Sequence, residues 1–246
     1  MAILLSFHLD LRESPWLLRS VVDNDSKPLE SAMRLQIFSG VAIAATLFSS
    51  FPAAAVSIID STDLDSLTLG EMIVGPVGPT VETTLTNGSG EGIGDLISSV
   101  SCPAGFAACT PPTNPAGTIY TYQHRVTPGV DLPNDAPFPS PGTILPLTNV
   151  REFRLNFPAA GFNGIAGYRF SEATAANAEI DTERLDDGSL VWRLGENSGW
   201  DTGESITFFW QTTQPPSGPG GSYGLANDSQ SGTAQGPLPV PVSLRM

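Results

Sequence analysis

One histidine is the first candidate for chemistry in this sequence. His124 is the single histidine after position 55. General acid–base and nucleophilic catalysis usually depend on a histidine with partners placed around it. The stretch TIYTYQHRV puts His124 in alternation with Tyr120, Tyr122 and Val126, which is typical of one strand face. The pattern therefore favours a structural or surface role for His124.

Two runs of carboxylates offer a second kind of chemistry. The run DSTDLDSLTLGE contains Asp60, Asp63 and Asp65, and DTERLDDG occupies 181–188. Hard oxygen ligands suit calcium, but neither run fits the loop pattern D-x-[DN]-x-[DN]-G. Solvated turns explain both runs. We expect no cofactor, and a structural calcium ion at Asp60, Asp63 and Asp65 is the alternative.

Carbohydrate chemistry is the third case. A glycosidase needs two carboxylates facing each other across a cleft, and nothing in the spacing selects such a pair. Trp200, in NSGWDTG, is predicted to lie in a loop, where its ring could stack on a sugar or pack inward. We expect no catalytic site, with a calcium- or carbohydrate-binding module and a secreted glycoside hydrolase as alternatives.

An apolar segment near the amino terminus indicates where the chain acts. MRLQIFSGVAIAATLFSSFPAAAVS, at 33–57, has the basic start, short apolar core and small-residue site of a secretory signal. The core is shorter than the roughly 20 apolar residues of a spanning helix. We predict a signal peptide at 33–55, cleaved between Ala55 and Val56 with Ala53 in the recognition site. Residues 1–32 are then a non-native extension; a retained anchor is the alternative.

The two cysteines are predicted to form a disulfide. Cys102 and Cys109 are separated by PAGFAA. Thiols so close in sequence pair readily outside the reducing cytoplasm. A zinc site would need further cysteine or histidine ligands. The bond would close one short loop.

Glycine and proline break the chain after position 55 into short alternating segments. REFRLNF, SLVWRL and GESITFFWQTT each place apolar residues at every second position, which is typical of strands covered on one face. Short strands between turns predict an all-β fold, an antiparallel β-sandwich of the jelly-roll kind, over 56–213. SEATAANAE is the one helical candidate. Residues 214–246 are predicted to be a Gly/Pro/Ser-rich tail, with a last strand over 223–226 as the alternative.

The charge balance excludes two classes of partner. The chain has 25 acidic and 11 basic residues, a net charge of −14. Such a charge repels nucleic acid and anionic lipid headgroups. Cations, neutral glycans and basic proteins remain as classes of partner.

The end of the sequence resembles a known class of exported proteins. GPLPVPVS, at 236–243, follows a Gly/Ser/Pro-rich approach and, with the signal, is similar to bacterial PEP-CTERM proteins sorted by exosortase. In that class a hydrophobic span and a basic cluster follow the motif, whereas here only VSLRM follows Pro241. The resemblance implies sorting to the cell surface with the anchor missing, and implies no catalytic residues.

These patterns predict an exported protein of structural or adhesive type. It would act at the bacterial cell surface or outside the cell. The expected partners are the export machinery and extracellular polysaccharide or envelope components.

Overall fold

The computed structural model describes residues 56–73, 80–106, 109 and 114–240, and these residues form an almost entirely β structure. The all-β prediction is confirmed. One short helix, α1, covers Phe170–Ala175, within one residue of the predicted start, and a 3-10 turn covers Leu64–Ser66. The strands are β1 Ser57–Ile59, β2 Thr62–Asp63, β3 Leu69–Met72, β4 Thr80–Thr86, β5 Gly92–Pro103, β6 Tyr120–Pro128, β7 Glu152–Leu155, β8 Phe162–Tyr168, β9 Ile180–Arg184, β10 Leu190–Leu194, β11 Ile206–Thr212, β12 Pro216–Ala226 and β13 Ser231–Pro239.

The strands form one mixed sheet. Its order is β1-β9-β10-β7-β12-β13-β4-β5-β6-β11-β8-β2, with β3 paired to β5. The pair β2 and β8 is parallel, and the other paired strands are antiparallel. The sheet curls on itself, because Phe153 of β7 stacks on Phe208 of β11 at 4.8 Å between ring centroids although five strands lie between them. The jelly-roll detail stays a prediction.

The alternating segments fold as their patterns predict. In β7, Phe153 and Leu155 are fully buried, and Trp192 in β10 and Trp210 in β11 are buried in the same core. The inner face is largely aromatic: His124 of β6 lies 4.3 Å from the Tyr223 ring, and Trp192 lies 5.5 Å from Phe208. Aromatic pairs at these separations add about 0.5–1.5 kcal/mol each beyond their burial.

The carboxyl-terminal segment differs from the prediction. Residues 214–246 were expected to be a tail, but β12 and β13 lie inside the sheet, between β7 and β4. Tyr223 and Leu225 are buried in the core, and the Tyr223 hydroxyl donates to the Pro237 carbonyl. The sorting-like stretch is therefore partly in the sheet, since β13 runs to Pro239.

Glycine explains why this segment pairs. A Cβ on Gly236 would lie 2.7 Å from the Tyr223 ring, and one on Gly221 would lie 2.9 Å from the Phe157 ring. Bare backbone at these positions lets large rings pack directly on the strands. Glycines that suggested a loose tail are what allow close aromatic packing.

The predicted disulfide is present. Cys102, at the end of β5, is bonded to Cys109, with 5.8 Å between the Cα atoms. Cys102 is fully buried, and the Asn114 side-chain amide donates to its sulfur at 3.3 Å. The bond therefore fixes the segment after β5 to the core.

Replacing both cysteines by serine should lower the free energy of unfolding by about 2–3 kcal/mol, because the cross-link no longer restricts the unfolded chain. Urea unfolding of the oxidised protein and the double variant measures the difference. The reduced wild-type protein should match the double variant. A loss below about 0.5 kcal/mol would contradict a stabilising role for this bond.

The predicted signal segment, its residues Ala53 and Ala55, and the proposed extension 1–32 lie outside the described residues. Val56 begins the described part and is 46% exposed. Within the described ranges, no helix has the length and apolar character needed to cross a bilayer.

Candidate functional site

His124 lies in the core, with no exposed surface. Trp210 Nε1–H donates to His124 Nε2 at 3.3 Å, and His124 Nδ1 lies 3.0 Å from Ser98 Oγ. Since Nε2 accepts, the proton of the neutral ring is on Nδ1 and points at Ser98. His124 thus donates to Ser98 and does not act as a base toward that hydroxyl. Burial lowers the pKa of His124 to about 3, so the ring is neutral at physiological pH.

The predicted calcium residues have structural roles. Asp63 Oδ1 accepts from the main-chain N–H groups of Asp65 at 3.2 Å and Phe170 at 3.1 Å. Asp65 pairs with Arg169 at 2.9 Å, and Asp60 is exposed. In the described ranges, no three His, Cys, Asp or Glu side chains are placed to bind one metal ion. The carboxylates of Asp60, Asp63 and Asp65 are therefore not assembled as a ligand set, and Asp63 and Asp65 fix the 3-10 turn to α1.

Of the two roles open to Trp200, sugar stacking and inward packing, the structure shows inward packing. The side chain is fully buried, its Nε1–H donates to the Glu204 carbonyl at 2.9 Å, and its ring lies 5.5 Å from Phe208. The loop that carries it folds inward because the indole has both an apolar partner and a hydrogen-bond acceptor there. No face of the Trp200 ring is free for a ligand.

A ligand-sized hollow lies on the outer face of the sheet. It encloses about 310 Å³ where β4, β12 and β13 meet the 129–146 loop. We call it the hydroxyl groove, defined by its lining residues Thr84, Thr86, Phe138, Pro139, Ser222 and Thr233. Its walls combine hydroxyl groups with one aromatic ring and one proline, and contain no charged side chain.

The groove follows from strand register. Thr233 of β13 lies opposite Thr86 of β4 on one side and Gly224 of β12 on the other. Residues directly opposite share a sheet face, so Thr86 and Thr233 are neighbours, and Ser222, two positions before Gly224, lies on the same face of β12. A second hollow, of about 300 Å³, shares Thr233 and continues toward Asn156, the residue after β7.

The 129–146 loop is bound to the sheet and forms the other side of the groove. Asp135 N–H donates to the Glu82 carbonyl at 3.1 Å, and Glu82 N–H donates to the Asp135 carboxylate oxygen Oδ2 at 3.0 Å. Thr84 Oγ1 donates to Asp131 and accepts from Asn134 Nδ2 at 2.7 Å. These bonds give hydrogen-bond partners to the Glu82 main chain and to the Thr84 hydroxyl.

Four carboxylates lie close enough to influence one another where this loop covers β4 and β5. We call Glu82, Asp95, Asp131 and Asp135 the acidic cluster. Asp95 is 1% exposed, and its Oδ1 accepts from the Leu132 N–H at 3.2 Å. Burial, with smaller contributions from Glu82 and Asp131, raises the pKa of Asp95 to about 6, against opposing effects of the Leu132 N–H and Arg125. Burial and the charges of Asp135 and Asp131 also raise the pKa of Glu82.

Sequence reasoning missed both features. Asp95 interrupts the apolar run IGDLI, and DLPNDAP follows β6 with two acids and an amide. A lone carboxylate within a strand was the available signal for the acidic cluster. The groove combines residues from four distant segments, and no local pattern marks it.

Comparison with known proteins identifies no relative. No family model, no curated protein and no solved structure matches this chain.

Proposed function

We propose that this protein is an exported, non-catalytic surface or matrix protein that adheres by binding a neutral polysaccharide in the hydroxyl groove. Export is supported by the signal pattern at 33–55 and by the Cys102–Cys109 disulfide, a bond typical of oxidising compartments. Surface sorting is supported by the PEP-CTERM resemblance of GPLPVPVS. The observation that carries the binding proposal is the groove itself, with its threonine and serine hydroxyls beside Phe138.

The chemistry of the groove suits a sugar. A threonine or serine hydroxyl can both donate and accept a hydrogen bond, as a hexose hydroxyl does. Thr86, Ser222 and Thr233 keep such capacity for a sugar, whereas the Thr84 hydroxyl is already bonded to Asp131 and Asn134. Phe138 and Pro139 supply an apolar surface for the C–H face of the ring. Sites with a few polar groups beside an aromatic wall are usual for small-molecule recognition.

The charge and extent of the face favour a neutral polymer. A net charge of −14 disfavours anionic glycans. The second hollow shares Thr233 with the groove, so an extended ligand can occupy both. We therefore favour a chain of several sugars over a free monosaccharide.

Replacing Phe138 by Ala should weaken binding to the preferred neutral polysaccharide by about tenfold, because loss of a stacking ring costs roughly 1–1.5 kcal/mol. Affinity electrophoresis against amylose, mannan and galactomannan measures this, with alginate as the anionic contrast. The matched control is Phe170→Ala, which removes a 38% exposed ring from α1 and should leave binding unchanged.

Two results would overturn the proposal. One is that none of the neutral polysaccharides retards the wild-type protein. The other is that Phe138→Ala is retarded as strongly as the wild type. Equal weakening by Phe170→Ala would place the sugar-binding surface elsewhere.

A further inference from the structure

Asp95 has a buried oxygen without a partner. The residue lies on β5 directly opposite Thr84 of β4, beneath the 129–146 loop. Its Oδ1 accepts from the Leu132 N–H, whereas Oδ2 is buried and has no hydrogen-bond partner. Leaving a buried charged oxygen unpaired is costly, so this oxygen calls for a cationic or donor ligand.

A second buried oxygen without a partner belongs to Asn134, whose side chain is bonded to Thr84, the residue opposite Asp95. Asn134 Nδ2 donates to Thr84 Oγ1 at 2.7 Å and to the Pro139 carbonyl at 2.9 Å. These two bonds fix the orientation of the amide, because the opposite orientation would set two acceptors, Oδ1 and the Pro139 carbonyl, against each other. Asn134 Oδ1 is then buried without a partner.

The surrounding charges select a cation over a neutral donor. Asp131 accepts from the Thr84 hydroxyl, and the Asp135 carboxylate accepts from the Glu82 main-chain N–H, so neither carboxylate is neutralised by a basic group in these bonds. Arg125 is the one basic group that acts on Asp95 in the described structure, and its guanidinium is turned to Ser205 at 3.3 Å. No arginine in the described ranges forms an ion pair with any member of the acidic cluster.

We propose that a divalent cation of the calcium class binds between the β4–β5 hairpin and the 129–146 loop, with Asp95 Oδ2, Asn134 Oδ1 and Asp131 as its protein ligands. Calcium accepts carboxylate, amide and water oxygens together. The proposed set contains only two carboxylates and one amide. It is therefore compatible with the finding that no three His, Cys, Asp or Glu side chains in the described ranges are placed around one ion. So few charges predict a dissociation constant of about 0.1–1 mM, as in extracellular modules.

This site differs from the calcium alternative at Asp60, Asp63 and Asp65. It is also independent of the polysaccharide, although the two meet at Thr84, which lines the hydroxyl groove and bonds two of the proposed ligands. Bound calcium would hold the loop that carries Phe138.

Isothermal titration of CaCl₂ into the EDTA-dialysed protein tests the proposal. We expect one saturable site in the wild type. Asp95→Asn and Asp131→Asn should each bind calcium at least about tenfold more weakly, since each removes one of two ligand charges. Asp131→Asn keeps an acceptor for Thr84. The matched control Asp60→Asn, an exposed acid from the first run, should bind as the wild type does.

Three results would overturn the proposal: no saturable heat in the wild type, unchanged binding in Asp95→Asn, or loss of binding in Asp60→Asn. Near-ultraviolet circular dichroism in EDTA checks that each variant is folded. If the polysaccharide proposal fails, the calcium isotherm and its loss in Asp95→Asn are unaffected. The failure of one proposal can therefore be told from the failure of the other.

Discussion

Replacing Asp95 by Asn should raise the free energy of unfolding at pH 8 in EDTA by up to about 3 kcal/mol. The folded pKa of Asp95 is about 6 against an ordinary value of 3.8, so its ionised form is disfavoured in the core. Asn keeps an acceptor for the Leu132 N–H and carries no charge. For a chain of this size the gain corresponds to roughly 6–12 °C in Tm.

The gain should depend on pH. Between pH 3.8 and about 6 the folded protein binds more protons at Asp95 than the unfolded chain does, so stability falls as pH rises through this window. The stabilisation by Asp95→Asn should therefore be complete above about pH 6 and absent below 3.8. Urea unfolding at pH 8 and pH 4.5 measures it, with Asp60→Asn as the exposed control. A gain independent of pH would contradict a buried charge as its cause.

The second large effect on the free energy of unfolding is expected for His124→Gln. Its dependence on pH should be opposite to that of Asp95→Asn. At pH 8 the variant should lose about 1–3 kcal/mol, because the buried Trp210 N–H and Ser98 lose well-placed partners. On acidification the variant should gain stability, whereas the wild type should lose it. The pKa of His124 is 6.5 in its ordinary state and about 3 when folded, so the wild type loses stability as pH falls through this range.

The same two pH values measure the histidine effect. Between pH 8 and pH 4.5 the free energy of unfolding of the wild type should fall by about 3 kcal/mol because His124 stays neutral in the folded state. This loss should be absent in His124→Gln. Over the same range protonation of Asp95 should return about 2 kcal/mol. Asp95→Asn should therefore be more acid-labile than the wild type, and His124→Gln should be stabilised by acid. Parallel pH profiles for all three proteins would contradict both assignments.

Local patterns were sufficient to predict the strands of alternating apolar and polar residues. Alternation in REFRLNF and SLVWRL identified the buried faces of β7 and β10, because each strand has one face against the aromatic core. The disulfide was also predictable from local sequence, because only six residues separate Cys102 from Cys109 and their thiols therefore stay close together.

Residues that depend on distant partners were not predictable. Trp200 is buried because Phe208 and the Glu204 carbonyl meet it, and neither contact has a local signature. The burial of Asp95 depends on a loop that begins more than thirty residues later, at Asp131 and Leu132. The pairing of β12 depends on rings such as Tyr223 packing over glycine backbone, which a propensity scale treats as strand-breaking.

The sheet order also sets when this protein can fold. β12 and β13 are synthesised last among the described strands, yet they join β7 to β4 in the middle of the sheet. The Thr86 hydroxyl and the Thr233 carbonyl that meet there are separated by 147 positions in the chain. Contacts between residues so far apart close late and slow folding. An emerging chain would therefore hold an open, incomplete sheet through most of its synthesis, until β12 and β13 are available to close it.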